Sequence, residues 1–362
     1  MEQRDSTLPP HLRIRARGAG SNRTGRHEAE TREVFHDGWD IAEEEVPLRT
    51  EIRTEQPRSA ITRNASPDIP FDRSLNPYRG CEHGCIYCFA RPSHAWLGLS
   101  PGLDFETRLI VRPGIAEVLE REISRPGYRP GILAIGTNTD PYQPVESTVR
   151  AMRRVLEVLA AFNHPVAIVT RGTLIERDID ILAPMAERRL ARVGISVTTL
   201  DADLARRMEP RAPAPERRLA VIRRLTAAGI PVRVMAAPMI PALTDHELEA
   251  ILAAARGAGA TTASTIPLRL PREVSALFQE WTQANVPDRA ARIIGRVRDL
   301  HGGRDYDPQW GRRMKGQGPW AELLSARFRV ACEKLGYIRE GPPLRTDLFR
   351  VPPKAGDQLD LF

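Results

Sequence analysis

Between residues 74 and about 267, short apolar runs alternate with longer stretches in which apolar residues return every three to four positions. Side chains repeat every two residues along a strand and about every 3.6 along a helix, so the short runs predict buried strands and the long ones amphipathic helices. Strands are predicted at 131–136, 165–170, 192–197, 232–236 and 261–266, with a first one just before Asn76. Helices are predicted at 115–124, 146–162, 176–189, 215–229 and 245–257. In the 146–162 stretch Val149, Met152, Val155, Leu156 and Leu159 share one face. Short strands separated by single helices favour parallel pairing through crossovers. The expected fold class is therefore α/β, a partial TIM-type (β/α)6 barrel whose reaction face is formed by loops leaving the C-terminal ends of the strands. A doubly wound sheet is the alternative.

Beyond 267 the pattern turns helical, at 272–284, 287–301 and 320–335, with a Gly- and Arg-rich loop at 302–318. Four segments result: a flexible basic and acidic arm (1–70), the barrel core (71–270), a helical extension (271–345) and a tail (346–362). No apolar run approaches the roughly 18 residues that cross a bilayer, and no secretory leader is visible, so no membrane association is expected.

The formal net charge is +7, but only three of the 53 basic residues are lysines. A GC-rich genome produces that skew without functional cause, so bulk charge adds little. Local charge adds more. Between Ser6 and His27 there is no acidic residue, while Arg13, Arg15, Arg17, Arg23 and Arg26 alternate with Gly, Ser and Asn. A solvated tail and a phosphate-contacting arm both fit.

Three of the four cysteines, Cys81, Cys85 and Cys88, form a C-x3-C-x2-C pattern. A cubane [4Fe–4S] cluster in a full thiolate cage takes four cysteines. Three leave one iron open, and an open coordination position marks a catalytic metal site. Zinc completed by His83 or His94, and plain structural thiols, are the competing readings. Cys332 lies on a predicted helix and reads as core. Reduced thiols and an oxygen-sensitive cluster predict a cytoplasmic protein.

With Tyr87 just before its last cysteine, the loop resembles the radical S-adenosylmethionine (SAM) superfamily. The resemblance implies that the open iron takes the amino and carboxylate groups of SAM, that Tyr87 lies against the adenine, and that a flavodoxin or ferredoxin supplies the electron. It also implies that the loop after the second strand grips the ammonium. Here that loop keeps Gly136 but replaces the family's Gly-Gly-Glu-like segment, leaving Thr137, Asn138 and Asp140 as acceptors. Arg171 is the candidate for the SAM carboxylate and Ser196 for the ribose or carboxylate, with Met239, Ile240 and Pro241 as an apolar wall. A plain turn and a surface arginine are the bland alternatives for the loop and for Arg171.

The stretches 76–98, 140–144 and 234–245 resemble proteins related to spore photoproduct lyase, a DNA repair enzyme. That branch implies lesion repair or base modification on DNA. Two departures stand out: no cysteine occurs between Gly136 and Asp140, and Phe89 follows the last cluster cysteine where the lyase has tyrosine. The lyase's hydrogen relay is therefore not expected, and Tyr142 or Tyr78 is the candidate substitute donor. Action on protein, RNA or a small molecule, and a non-enzymatic iron–sulfur role, are the alternatives. The final residues Gln358, Leu359, Asp360, Leu361 and Phe362 resemble the peptide by which bacterial proteins dock on the DNA sliding clamp, with Leu361 and Phe362 as apolar anchors and Gln358 as a directed hydrogen bonder.

Overall fold

The computed structural model describes residues 17–28 and 48–353. Its strands are β1 (Glu51–Thr54), β2 (Thr62–Arg63), β3 (Arg73–Leu75), β4 (Tyr78–Arg79), β5 (Arg108–Val111), β6 (Leu133–Ile135), β7 (Val166–Thr170), β8 (Ala191–Ser196), β9 (Val232–Met239) and β10 (Thr262–Pro267). The helices are α1 (Asp104–Thr107), α2 (Ile115–Ile123), α3 (Glu146–Val149), α4 (Ala151–Ala161), α5 (Ile179–Glu187), α6 (Ala202–Met208), α7 (Pro215–Ala227), α8 (Leu248–Gly257), α9 (Glu273–Asn285), α10 (Pro287–Leu300) and α11 (Pro319–Lys334).

The larger sheet runs β10-β9-β8-β7-β6-β3-β2. From β3 to β10 every neighbouring pair is parallel and follows chain order, and β2 caps the β3 edge antiparallel. A doubly wound sheet reverses its order at a switch point. This sheet never does, so it curls one way into the expected partial barrel.

Alternation along the strands explains the curl. Val166 and Ile168, Val193 and Ile195, and Val232, Val234 and Ala236 join the main core beneath the helices. There they meet the α2 stripe Ile115, Leu119 and Ile123 and the α4 stripe Met152, Val155, Leu156 and Leu159. Each such side chain withdrawn from water contributes about 1.5–3 kcal/mol. The opposite strand face carries small or partly open residues. A Cβ built on Gly194 would sit 3.1 Å from Met235 Sδ and 3.5 Å from Val169 Cγ2, so these three line one interior. Ser264, paired to Met235 in the ladder, belongs to the same face, and its buried hydroxyl has no hydrogen-bond partner.

Three features depart from the sequence pattern. The single helix expected at 146–162 is broken at Arg150, which takes a left-handed φ of 54°. The buried Glu146 carboxylate accepts the Met152 amide at 3.0 Å and so restarts the helix as α4. Within the expected flexible arm, residues 17–28 and 48–70 are laid along the core instead. Arg17 donates to Glu106 O at 2.9 Å, Arg26 pairs with Glu273 at 2.5 Å, and Arg23 lies 3.4 Å from Glu280. Buried or half-buried acceptors claim these arginines, and β1 pairs with β5 in a small second sheet ordered β1-β5-β4. The unpredicted α6 is started by Asp201, whose carboxylate accepts the amides of Asp203 and Leu204. No helix among the described residues is long and apolar enough to cross a membrane.

Candidate active site

The three-thiol loop leaves β4 at the C-terminal end of the barrel and ends in a 3-10 turn, Arg91–Leu97. Gly80 begins it with φ 79°, and a side chain there would meet Leu109, His94 and the Phe105 carbonyl at 2.8–2.9 Å. Only a residue without Cβ fits such a turn cheaply. The Cys81 amide donates to Phe105 O at 2.9 Å, and the Ile86 amide to Met208 O at 3.0 Å. From within the turn, Arg91 gathers the loop's carbonyls: Nε donates to Cys85 O at 2.9 Å and Nη2 to Gly84 O at 3.1 Å.

Cys81 and Cys85 are buried, Cys88 is half-buried, and all three are free thiols. Burial pushes Cys81 and Cys85 well above the ordinary thiol range. Asp140 adds to the shift at Cys81, whereas Arg171 opposes it at Cys85. Cys81 also responds to the other two thiols, so they are electrostatic neighbours. Yet among the described residues no three His, Cys, Asp or Glu side chains converge closely enough for a single ion. A lone zinc needs every sulfur near 2.3 Å. A cluster spreads its ligands over several metal corners, and bound iron would displace the protons that burial favours.

The two histidines that the sequence offers for a zinc site are both buried, and each makes one polar contact. His83 is buried with Nδ1 3.4 Å from Asp140 Oδ2. His94 turns Nε2 to Arg108 O at 2.9 Å and stacks edgewise on Phe105. Three free thiols on one loop that sense each other's charge fit the donor set of a three-thiolate cluster.

The loop after β6 braces this site. Gly136 takes φ 88°, and a Cβ there would strike the Val169 carbonyl. Asp140 accepts Thr170 Oγ1 at 2.6 Å and the amides of Arg171 and Tyr142 at 2.9 Å each. Burial alone would raise the pKa of Asp140, but His83, Thr170 and the Arg171 amide outweigh it and hold it at about 2. Asp140 is thus a fixed anion joining β6, β7 and the thiol loop. Thr137 and Asn138 are half-buried and make no side-chain hydrogen bond among the described residues.

Arg171, directly after β7, is the residue most closely tied to the thiols. Its Nη1 donates to Cys85 Sγ at 2.9 Å, Tyr87 Oη at 2.7 Å and Glu209 Oε1 at 2.7 Å. Burial lowers its pKa, but the three thiols and Asp140 more than restore it. Tyr87 belongs to the same apolar cluster as Cys85, Ile86, Met208, Ile240, Leu268 and Leu270. Of the expected apolar wall, Ile240 therefore shares the cluster of Tyr87, while Met239 joins the main core. Ser196 is buried, with Oγ 3.4 Å from Ala237 O.

Tyr142 and Tyr78 stand apart from this group. Tyr142 is buried in the main core and Tyr78 in a smaller one, where its hydroxyl donates to Glu146. Burial raises both phenols far above their ordinary range. Neither touches the thiols. Sequence reasoning missed Arg91, Glu106, Glu209 and Arg218; the Asp-led start of α6 was the one signal that could have led to Glu209.

Phe89, exposed beside Cys88, lies under the Arg269 guanidinium at 4.2 Å. The 302–318 stretch runs beside this pair. Tyr306 and Arg313 are both electrostatic neighbours of Arg269, and Arg313 reaches across to Asp68 at 2.5 Å. Arg304, Trp310, Arg312 and Lys315 on this strap are exposed.

Residues 75–255 match the model of the radical SAM superfamily. Uncharacterised proteins of Mycobacterium tuberculosis and Mycobacterium bovis are 37% identical over 289 residues, covering 79% of this chain and 82% of theirs. An uncharacterised Methanocaldococcus jannaschii protein is 24% identical over 173 residues, covering 48% of this chain and 62% of its own. Among solved structures, spore photoproduct lyase complexed with dinucleoside spore photoproduct aligns with a TM-score of 0.56 at 14% identity, covering 79% of this chain and 80% of that one. A variant of that lyase with bound AdoMet and the same dinucleoside gives 0.57 at 15% identity and the same coverage. These structures share the fold.

Proposed function

This chain belongs to the radical SAM superfamily, and from that membership we propose that it is a DNA-directed radical enzyme acting on a base presented singly, either unpaired or flipped from its duplex. The observation that carries the chemistry is the three-thiol loop at the barrel's C-terminal end, with the Arg171 guanidinium against one of its sulfurs. In this reading Cys81, Cys85 and Cys88 hold a [4Fe–4S] cluster. Tyr87, Gly136, Thr137, Asn138, Asp140, Arg171 and Ser196 surround SAM. When bound, that pair supplies reductive cleavage of a sulfonium and a carbon radical that takes hydrogen from the substrate.

The chain's own residues bind, orient and exclude water. Arg171 keeps a guanidinium at the Cys85 sulfur, where a carboxylate can pair with it. Thr137 and Asn138 offer uncommitted polar groups beside Asp140. Ile240, Leu268 and Leu270 share an apolar cluster with Tyr87 and Cys85, and that cluster helps to exclude water there. The unpartnered Ser264 hydroxyl gives the interior one directed hydrogen bond for a substrate.

Two features support DNA as the substrate class. Exposed Trp310, Arg304, Arg312 and Lys315, on the strap whose Tyr306 and Arg313 neighbour Arg269, combine an aromatic platform with cations, the chemistry that holds single strands. The fold also aligns with a lyase whose structure holds a dinucleoside photoproduct. The hydrogen return must differ from that lyase's, because Phe89 has no hydroxyl and residues 136–140 have no thiol. The described arginines of the arm, Arg17, Arg23 and Arg26, are engaged within the chain and are not assigned to DNA. The tail residues Gln358 to Phe362 lie outside the described residues; we propose from their sequence that they dock on a sliding clamp and concentrate the enzyme at DNA.

The test is anaerobic reconstitution with iron, sulfide, SAM and a reductant, followed by mass spectrometry for 5′-deoxyadenosine and altered nucleosides in damaged oligonucleotides. Deoxyadenosine formation that no DNA substrate alters would refute the DNA assignment. Absence of any deoxyadenosine would refute the radical chemistry. Equal retention on immobilised clamp by the intact chain and one lacking 358–362 would refute the tethering.

A further inference from the structure

Glu209 directly follows α6, is fully buried, and sits at the centre of the site's hydrogen bonds. Its Oε1 accepts Arg171 Nη1 at 2.7 Å, Thr198 Oγ1 at 3.1 Å and the Tyr87 hydroxyl. Its Oε2 pairs with Arg218 Nη2. Arg218 is itself buried and anchored by Pro213 O at 2.8 Å and Ser196 O at 3.3 Å. Arg171 Nη1 also lies 2.9 Å from Cys85 Sγ. One carboxylate thus serves two guanidiniums, and one of those touches a sulfur of the thiol loop. An unpaired buried charge is costly, so Glu209 cannot be lost without disturbing both arginines.

We propose that Glu209 is a positioning and charge-setting residue for the iron–sulfur site: it aims Arg171 at Cys85 and fixes the charge that the cluster experiences. The inference rests on Cys81, Cys85 and Cys88 holding that cluster. Hydrogen bonds to ligand sulfurs and nearby net charge tune cluster potentials, and outer-shell partners fix the orientation of what touches the ligands. Glu209, Arg171 and Arg218 together carry one net positive charge. Glu209→Gln keeps the shape and leaves two positive charges, which favours the reduced cluster. Arg171→Met removes a positive charge and the N–H···S contact, which favours the oxidised cluster. The two variants therefore push the midpoint potential in opposite directions.

The experiment uses the full chain, anaerobically reconstituted, as wild type, Glu209→Gln, Glu209→Asp and Arg171→Met, with folding checked by circular dichroism. Reductive titrations followed by electron paramagnetic resonance are run without SAM, together with iron loss to a chelator. Expected are a positive shift for Glu209→Gln, a negative one for Arg171→Met and, for Glu209→Asp, which keeps the charge but draws Arg171 back from Cys85, a smaller negative one. Iron loss from Glu209→Gln should rise about tenfold. Shifts of the same sign in Glu209→Gln and Arg171→Met, or no shift in Glu209 variants that carry wild-type iron, would overturn the role of Glu209. If Glu209→Gln fails to fold, Glu209→Asp decides: a potential identical to wild type at wild-type iron content would overturn the aiming of Arg171 by Glu209. Wild-type protein that takes up no iron would overturn the cluster reading, and the role of Glu209 with it.

Discussion

Arg91 Nη2 lies 2.5 Å from Glu106 Oε1, and neither side chain is accessible to solvent. The pair closes the thiol loop from behind. Glu106 also accepts the Gly18 and Ala19 amides at 2.8 and 2.9 Å, while Arg91 holds Gly102 O at 2.9 Å. Two segments far apart in the chain and the thiol loop thus share one buried ion pair. Removing either partner leaves the other charge uncompensated. Arg91→Met is expected to destabilise the fold by about 3–5 kcal/mol, read by denaturant unfolding of the apo chain.

Each of Cys81→Ser, Cys85→Ser and Cys88→Ser is expected to abolish stable cluster assembly, because a cubane with two thiolates loses its purchase. Cys332→Ser, on α11, is the internal control and should reconstitute normally. Iron and sulfide content with Mössbauer spectra check this, and full iron content in any of the three would contradict the ligand assignment.

Tyr142→Phe is expected to leave cluster assembly and deoxyadenosine formation unchanged, and to alter stability by under about 1 kcal/mol. The Tyr142 hydroxyl is buried in the main core without a hydrogen-bond partner of good geometry, so its removal leaves no group orphaned. A loss of product formation with intact SAM cleavage would restore Tyr142 as a hydrogen donor.

His164 sets a pH dependence of stability. It is fully buried, its Nδ1 faces Pro165 O at 3.1 Å, and its Nε2 faces the Tyr128 hydroxyl at 2.8 Å. Burial, above all, pushes its pKa down to about 4 from 6.5. Between those values the unfolded chain binds the extra proton, so stability falls as pH drops from 6.5 towards 4. The loss amounts to about 3 kcal/mol. Chemical denaturation of the wild type and of His164→Gln at pH 7.5 and 4.5 checks it; the variant should show a smaller decline.

Trp310→Ala and Arg312→Ala on the exposed strap are expected to weaken binding of a single-stranded oligonucleotide. Loss of one stacked base costs about 1–3 kcal/mol. Loss of one phosphate contact shallows the salt dependence by about one unit of slope or less. Fluorescence anisotropy at two salt concentrations separates the two effects. Unchanged affinity in both would remove the strap from the nucleic-acid interface.

What was legible in the sequence is what depends on local periodicity. The six strands and the helices α2, α7, α8, α9, α10 and α11 follow from apolar spacing, because burying a stripe or an alternating face is a condition set within a few turns of chain. The parallel (β/α)6 order followed from the same repeat. The thiol loop was legible for a different reason: its C-x3-C-x2-C spacing lies wholly within one short loop. What stayed hidden depends on partners distant in sequence. The break at Arg150 is bought by a carboxylate that re-caps the helix. The docked segment 17–28 depends on Glu106, Glu273 and Glu280, between 87 and 259 positions away for the bonds that define it.

The sequence by itself determined the strand–helix repeat and three thiols gathered on one loop, because both are encoded in spacings of a few residues. Only the tertiary structure decided that Arg171 would touch Cys85 and that Glu209 and Arg218 would be buried with it. Arg171 comes from the crossover after β7 and the other two from the crossover after β8, and burial makes their pairing obligatory.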